Sequence, residues 1–219
     1  SWKNQTKAMK NSNIIETIKD SMAQASKSRK EYSLNDIYVY LLNDMSTSDN
    51  SEPVSIPSVL DLIKDLLPEH LMQEVDSIYI GEFDTFKERN INAFYDSGAI
   101  YVSNVQENIK DMADDIIHEF AHSLEQLAGV KKYIKHFQDT EFNQELDDYL
   151  SKEVGYSTIL SLTGEYLNTP YAITSLPEYY STGFEDYFVD LKLREFLRMV
   201  SPALYKILKT LEIGEQDGY

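Results

Sequence analysis

NIKDMADDIIHEFAHSLEQLA, residues 108–128, is the stretch whose reading decides the fold. Ile109, Met112, Ala113, Ile116, Ile117, Phe120, Ala121, Leu124 and Leu127 recur every three or four residues. That period predicts one amphipathic helix, with Gly129 as its natural stop. At its centre stands His118-Glu119-Phe120-Ala121-His122, an H-E-x-x-H pattern. Residues four apart lie on one helix face, so the two imidazoles can be turned toward one ion. Zinc accepts imidazole nitrogens at about 2.0–2.1 Å and keeps a position open in catalytic sites. Glu119 sits beside that face, where it can take a proton from a water at the metal. Two His and a Glu on a helix can also be plain surface residues. Here the apolar neighbours make unpaired imidazoles costly, which favours the metal.

Working upstream, Ile91–Tyr95, Asp96-Ser97-Gly98 and Ala99–Ser103 read as a β-hairpin, and Ser77–Phe83 as a strand. Either hairpin strand can be structural cover for the core or an exposed edge that pairs with an extended peptide. Before Ser77 the pattern is helical. One helix is expected from about Ser12 to Ala25. A second follows the capping-box-like Ser33-Leu-Asn-Asp36 and carries Ile37, Tyr38, Leu41 and Leu42. A third starts at Pro57 and is broken by Pro68. Residues 1–75 thus read as an N-terminal helical region packed on, or preceding, a core of residues 76–219.

Downstream of Gly129 the chain reads as mostly helical. Ser175-Leu-Pro-Glu178 opens a helix expected to run to about Val200, and Pro202 opens a last one ending near Gly214. A catalytic zinc site needs a third protein ligand, and the chain has no Cys. His70 and His136 are the only other His, and His136 lies among Lys132, Lys135 and Phe137. A carboxylate from a later helix is the remaining choice, with Glu178, Glu185, Asp186 and Asp190 as candidates.

His118-Glu-Phe-Ala-His122, with Leu124, Glu125, Leu127 and Gly129, resembles the HEFAH-x-L-acidic-x-L-x-G region of the Mlc titration factor A family. That family's core is similar to the protease domain of anthrax lethal factor and to the pro-pro endopeptidases. Glu178-Tyr-Tyr-Ser-Thr-Gly-Phe-Glu185-Asp-Tyr-Phe188 looks like the family's E-x-F-A-V-x-x-E-Y-F-F, although Ser181-Thr182-Gly183 replaces its small apolar residues. Ser201-Pro-Ala-Leu-Tyr205 looks like its P-x-L-Y segment. Asn92-Ala93-Phe94-Tyr95 is similar to the substrate-binding edge strand of thermolysin-like enzymes. The match covers roughly residues 90–129 and 171–208. It implies a gluzincin: Zn2+ held by His118, His122 and Glu178, Glu119 as general base, Tyr171 as donor to the oxyanion, and Asn92–Tyr95 against the substrate.

The chain has 219 residues and 42% apolar composition, enough for one sizeable domain or two small lobes. No apolar run approaches the roughly 18 residues of a membrane span. The formal net charge of −17 repels phosphate backbones and anionic lipid, so neither nucleic acid nor membrane is an expected partner. The opening Ser1-Trp2-Lys3-Asn4 is polar and has no leader pattern, although a trimmed leader would not show. Lack of Cys excludes disulfides and thiolate zinc sites, and leaves the compartment open between cytoplasm and secretion.

Taken together, the expected class is α+β and zincin-like: a small antiparallel sheet over the H-E-x-x-H helix, with a mostly helical C-terminal lobe. The expected function is a zinc-dependent peptidase, an endopeptidase rather than an exopeptidase, acting on a peptide or protein. Its rival is a non-catalytic binding domain of the same fold, regulatory, toxin-derived or virion-associated. The oligomeric state is not readable from the sequence.

Overall fold

The computed structural model describes residues 14–20, 22, 30–136 and 176–214, with backbone alone at 136, 176–178 and 200. The protein is α+β. Its described residues fall into two compact units, one from those up to 65 and 73–119, the other from 66–72 and those after 119.

The first unit is built on a five-stranded sheet: β1 (Lys30–Leu34), β2 (Ile37–Leu41), β3 (Ser77–Gly81), β4 (Ala93–Asp96) and β5 (Ala99–Ser103), in the order β1-β2-β3-β5-β4. The expected antiparallel sheet is in fact mixed. β1/β2 and β4/β5 are antiparallel, while β2/β3 and β3/β5 are parallel. The connections explain this. Two-residue turns reverse the chain at Asn35-Asp36 and Ser97-Gly98, where Asn35 (φ 52°), Ser97 (46°) and Gly98 (87°) take left-handed backbone. Between β2 and β3 the chain passes through α2 (Ile56–Leu66) instead, and between β3 and β5 through α3 (Asp84–Arg89) and β4. Longer connections of this kind return the chain in its original direction.

Residues 33–42, expected to be helical, form the β1–β2 hairpin. Ile37-Tyr-Val-Tyr-Leu41 alternates buried and more exposed side chains along β2, a period of two that outweighs the capping-box pattern. Because β2 pairs with β3, the sheet draws on both sides of residue 75. By register, Val39, Ile78, Ile80, Ile100 and Val102 share one face, all 0% exposed. Each such burial stabilises by roughly 1.5–3 kcal/mol. The other face carries a row of rings. Tyr40 stacks on Tyr79 at 5.3 Å and Tyr79 on Tyr101 at 5.4 Å, with planes within 20° of parallel. Helix α1 (residues 14–20) falls where the first helix was expected, and its Ile14 and Ile18 join Leu42, Phe83, Phe86 and Tyr101 on this side.

Helix α4 (Ile109–Ser123) follows β5. The link is pinned by bonds to the loop after β2: Ser46 N–H donates to the Asn104 carbonyl at 3.0 Å, Gln106 N–H to that of Ser46 at 3.0 Å, and Asn104 Nδ2 to that of Asp44 at 2.8 Å.

The second unit holds α5 (Ala128–His136), α6 (Leu176–Val189), α7 (Leu191–Val200) and α8 (Pro202–Ile213), with α5 touching both α6 and α8. The single helix expected over 175–200 is two. Asp190 breaks it, since its side chain accepts the Lys192 and Leu193 N–H groups as the N-cap of α7. Gly214 ends α8 in left-handed backbone at φ 72°, as its position suggested. Among the described residues no helix is long and apolar enough to cross a membrane.

Candidate metal centre

Helix α4 starts where Asn108 caps it. Asn108 Oδ1 accepts the Asp111 N–H at 2.8 Å, and Asn108 Nδ2 donates back to the Asp111 carboxylate at 2.7 Å. Met112, Ala113, Ile116, Ile117, Phe120 and Ala121 are completely buried, which fixes the helix rotation. That rotation leaves His118 and His122 half-buried and Glu119 buried at 8% exposure. His118, Glu119 and His122 each offer a ligand atom within 4.8 Å of the others. Two imidazoles and a carboxylate at that spacing can hold a metal ion, and N and O donors suit zinc.

The helix ends earlier than expected, at Ser123 and not at Gly129. Gly129 lies inside α5 and has ordinary helical backbone. The stop is made by competition for carbonyls. Ser123 Oγ donates to the Phe120 carbonyl at 2.6 Å. The buried Tyr180 hydroxyl, from α6, donates to the Ala121 carbonyl at 3.0 Å. The next N–H groups then bond three residues back: Leu124 to Ala121 at 3.1 Å and Glu125 to His122 at 3.3 Å. Burial pushes the Tyr180 phenol well above its ordinary range, and the nearby Glu125 charge adds to the effect, so the hydroxyl stays a donor. Within the tightened turn, Glu125 Oε1 lies 2.6 Å from His122 Nδ1.

Of the other candidates, Glu178 occupies the first turn of α6, two residues before Tyr180, and its side chain lies outside the described residues. Tyr171 lies outside them as well. Glu185 and Asp186 are on α6, Asp190 caps α7, and among the described residues none of them joins the His118 group. His70 is engaged elsewhere, its Nε2–H donating to the Leu211 carbonyl at 2.7 Å. The contact that sequence reasoning missed is the one between Glu125 and His122. The spacing of three was visible, but the tight turn that brings the two together was not.

Ala93–Asp96 is an edge strand, and Asn92 continues it, its carbonyl accepting from Ser103 N–H at 2.9 Å. The two-residue turn makes Asp96 and Ala99 a hydrogen-bonded pair, as are Phe94 and Tyr101. Ala93 and Tyr95 therefore aim their N–H and C=O groups away from β5. Tyr95 also accepts the Gly98 N–H on its hydroxyl at 3.1 Å, and burial raises its pKa above the usual phenol value.

No family model, no curated protein and no solved structure matches this chain.

Proposed function

We propose that the protein is a zinc-dependent peptidase of the zincin type. The observation that carries this is the His118, Glu119 and His122 group on one helix, with ligand atoms within 4.8 Å and the carboxylate buried. His118 and His122 would hold the zinc, and Glu178, at the start of α6, would be the third ligand. When bound, zinc supplies a water of lowered pKa and a Lewis acid for the scissile carbonyl. Glu119 takes the proton from the attacking water and passes it to the leaving amine. Tyr171 donates its hydroxyl to the developing oxyanion. The outward groups of Ala93 and Tyr95 on β4 pair with an extended peptide, a strand addition that leaves side chains to set preference.

The test is Glu119→Gln, assayed for metal content and for cleavage of a proteome-derived peptide library with and without chelator. The amide is nearly isosteric but accepts no proton. One zinc per chain should remain while turnover falls by about 10²–10⁴-fold. Wild-type protein that cleaves nothing in the library points to a binding domain. Substantial residual cleavage by the Gln variant means the base lies elsewhere.

A further inference from the structure

We propose that Glu125 is a positioning residue for the metal centre: it accepts the Nδ1 proton of His122 and so leaves the ring's lone pair on Nε2. This rests on the zinc reading above and deepens it.

The end of α4 sets the geometry. In a continuing α-helix the Glu125 N–H would bond to the Ala121 carbonyl. That carbonyl instead accepts from Tyr180 and Leu124, and the Glu125 N–H goes to His122 at 3.3 Å. A three-residue turn nearly eclipses side chains at i and i+3, whereas an α-turn offsets them. Glu125 is thereby laid over His122, with Oε1 2.6 Å from Nδ1. The two side chains are 18% and 26% exposed, so water competes for this bond less than it would on open surface.

The chemistry follows from the donor inventory. A neutral imidazole carries one proton, and a carboxylate can only accept. With the proton on Nδ1, Nε2 is the ligating nitrogen, and the negative oxygen behind the ring raises its basicity. The same bond holds the ring's χ2 angle, which a lone helix face leaves broad. A surface ion pair of the same length would bring only fold stability, typically under about 1 kcal/mol. The two readings therefore differ in what they predict for the metal and the tautomer, not for the fold.

The experiment uses the full chain, wild type and the variants Glu125→Ala and Glu125→Gln. Long-range ¹H–¹⁵N spectra of metal-free protein at alkaline pH read the His122 tautomer. Competition with a chromophoric chelator reads zinc affinity. Wild type should carry the Nδ1–H form. Glu125→Ala should lose that preference and bind zinc about 10–100-fold more weakly. Glu125→Gln keeps an accepting oxygen and should stay much closer to wild type in both. A wild-type Nε2–H tautomer overturns the proposal, and needs no variant to be seen. So does unchanged affinity in Glu125→Ala, or a Gln variant as weak as the Ala one; these leave zinc binding by His118 and His122 standing. Wild-type protein that takes up no zinc overturns the zinc reading, and with it this role for Glu125.

Discussion

Gly183→Ala should destabilise the protein, although glycine is the poorer helix former. Gly183 is in the middle of α6, where the exchange would ordinarily stabilise by roughly 1 kcal/mol. A Cβ at this position would stand 2.4 Å from Leu204 Cδ2 and 3.3 Å from Leu204 Cγ, with Leu197 Cδ2 at 3.9 Å. Comfortable carbon contacts are about 3.5–4.0 Å, so the nearest approach is short by roughly 1 Å. Leu204 is 0% exposed and Leu197 1%, so the leucine has no solvent to swing into. Overpacking of this kind costs about 2–3 kcal/mol, at the upper end of its usual range. Net of the helix gain, the loss is about 1–2 kcal/mol, or roughly 2–8 °C in Tm for a chain of this size. Urea denaturation of wild type, Gly183→Ala, Leu204→Ala and the double variant measures it. The shorter Leu204→Ala side chain makes room for the new methyl, so the double variant should lose about 2–3 kcal/mol less than the sum of the single losses, the whole of the relieved overpacking. A more stable Gly183→Ala protein, or strict additivity in the cycle, would refute the close packing of α6 against α8.

The edge strand and the remaining site residues can be tested by kinetics. Ala93→Pro removes an outward N–H from β4 and should raise KM several-fold with zinc content unchanged, whereas Phe94→Pro removes a ladder bond to β5 and should cost stability; unchanged kinetics in both Ala93→Pro and Tyr95→Pro would take substrate pairing away from this strand. Glu178→Ala should weaken zinc binding strongly, and retention of wild-type affinity would move the third ligand elsewhere. Tyr171→Phe should keep zinc and lower kcat by about 10²-fold, the scale of one oxyanion donor; an unchanged kcat would remove Tyr171 from the reaction.

Local signals were the legible ones. The Ser97-Gly98 turn, the strand at Ser77, the apolar stripe of α4 and the Pro202 start of α8 could each be read within a dozen residues, because each is decided by neighbours in sequence. The His118, Glu119 and His122 group belongs with them, since helix periodicity alone brings it together. The failures have two causes. Around Ser33–Leu42 two local patterns competed, and a helix-capping pattern obscured the alternation of Ile37-Tyr-Val-Tyr-Leu41. Elsewhere the deciding partner was remote. The parallel pairing of β2, β3 and β5 depends on how α2 and α3 return the chain. The early stop of α4 depends on a hydroxyl 59 residues further on, in Tyr180. Gly129 looked like a cap only because that hydroxyl could not be foreseen.

The row of phenol rings across the sheet gives the first unit an optical label of its own. Transition dipoles in rings stacked at 5.3 and 5.4 Å couple, so Tyr40, Tyr79 and Tyr101 should share their near-ultraviolet absorption and not act as three separate chromophores. The resulting dichroism depends on β2, β3 and β5 keeping register, and vanishes when fixed packing is lost even where secondary structure survives. The second unit's rings meet at steeper angles, 53° for Phe184 and Phe188 and 71° for Tyr187 and Phe188. The second unit has tyrosines of its own, among them Tyr187 and Tyr205 at 5.7 Å, so the part of this band that a Tyr79→Phe variant loses is the part whose melting reports on the sheet.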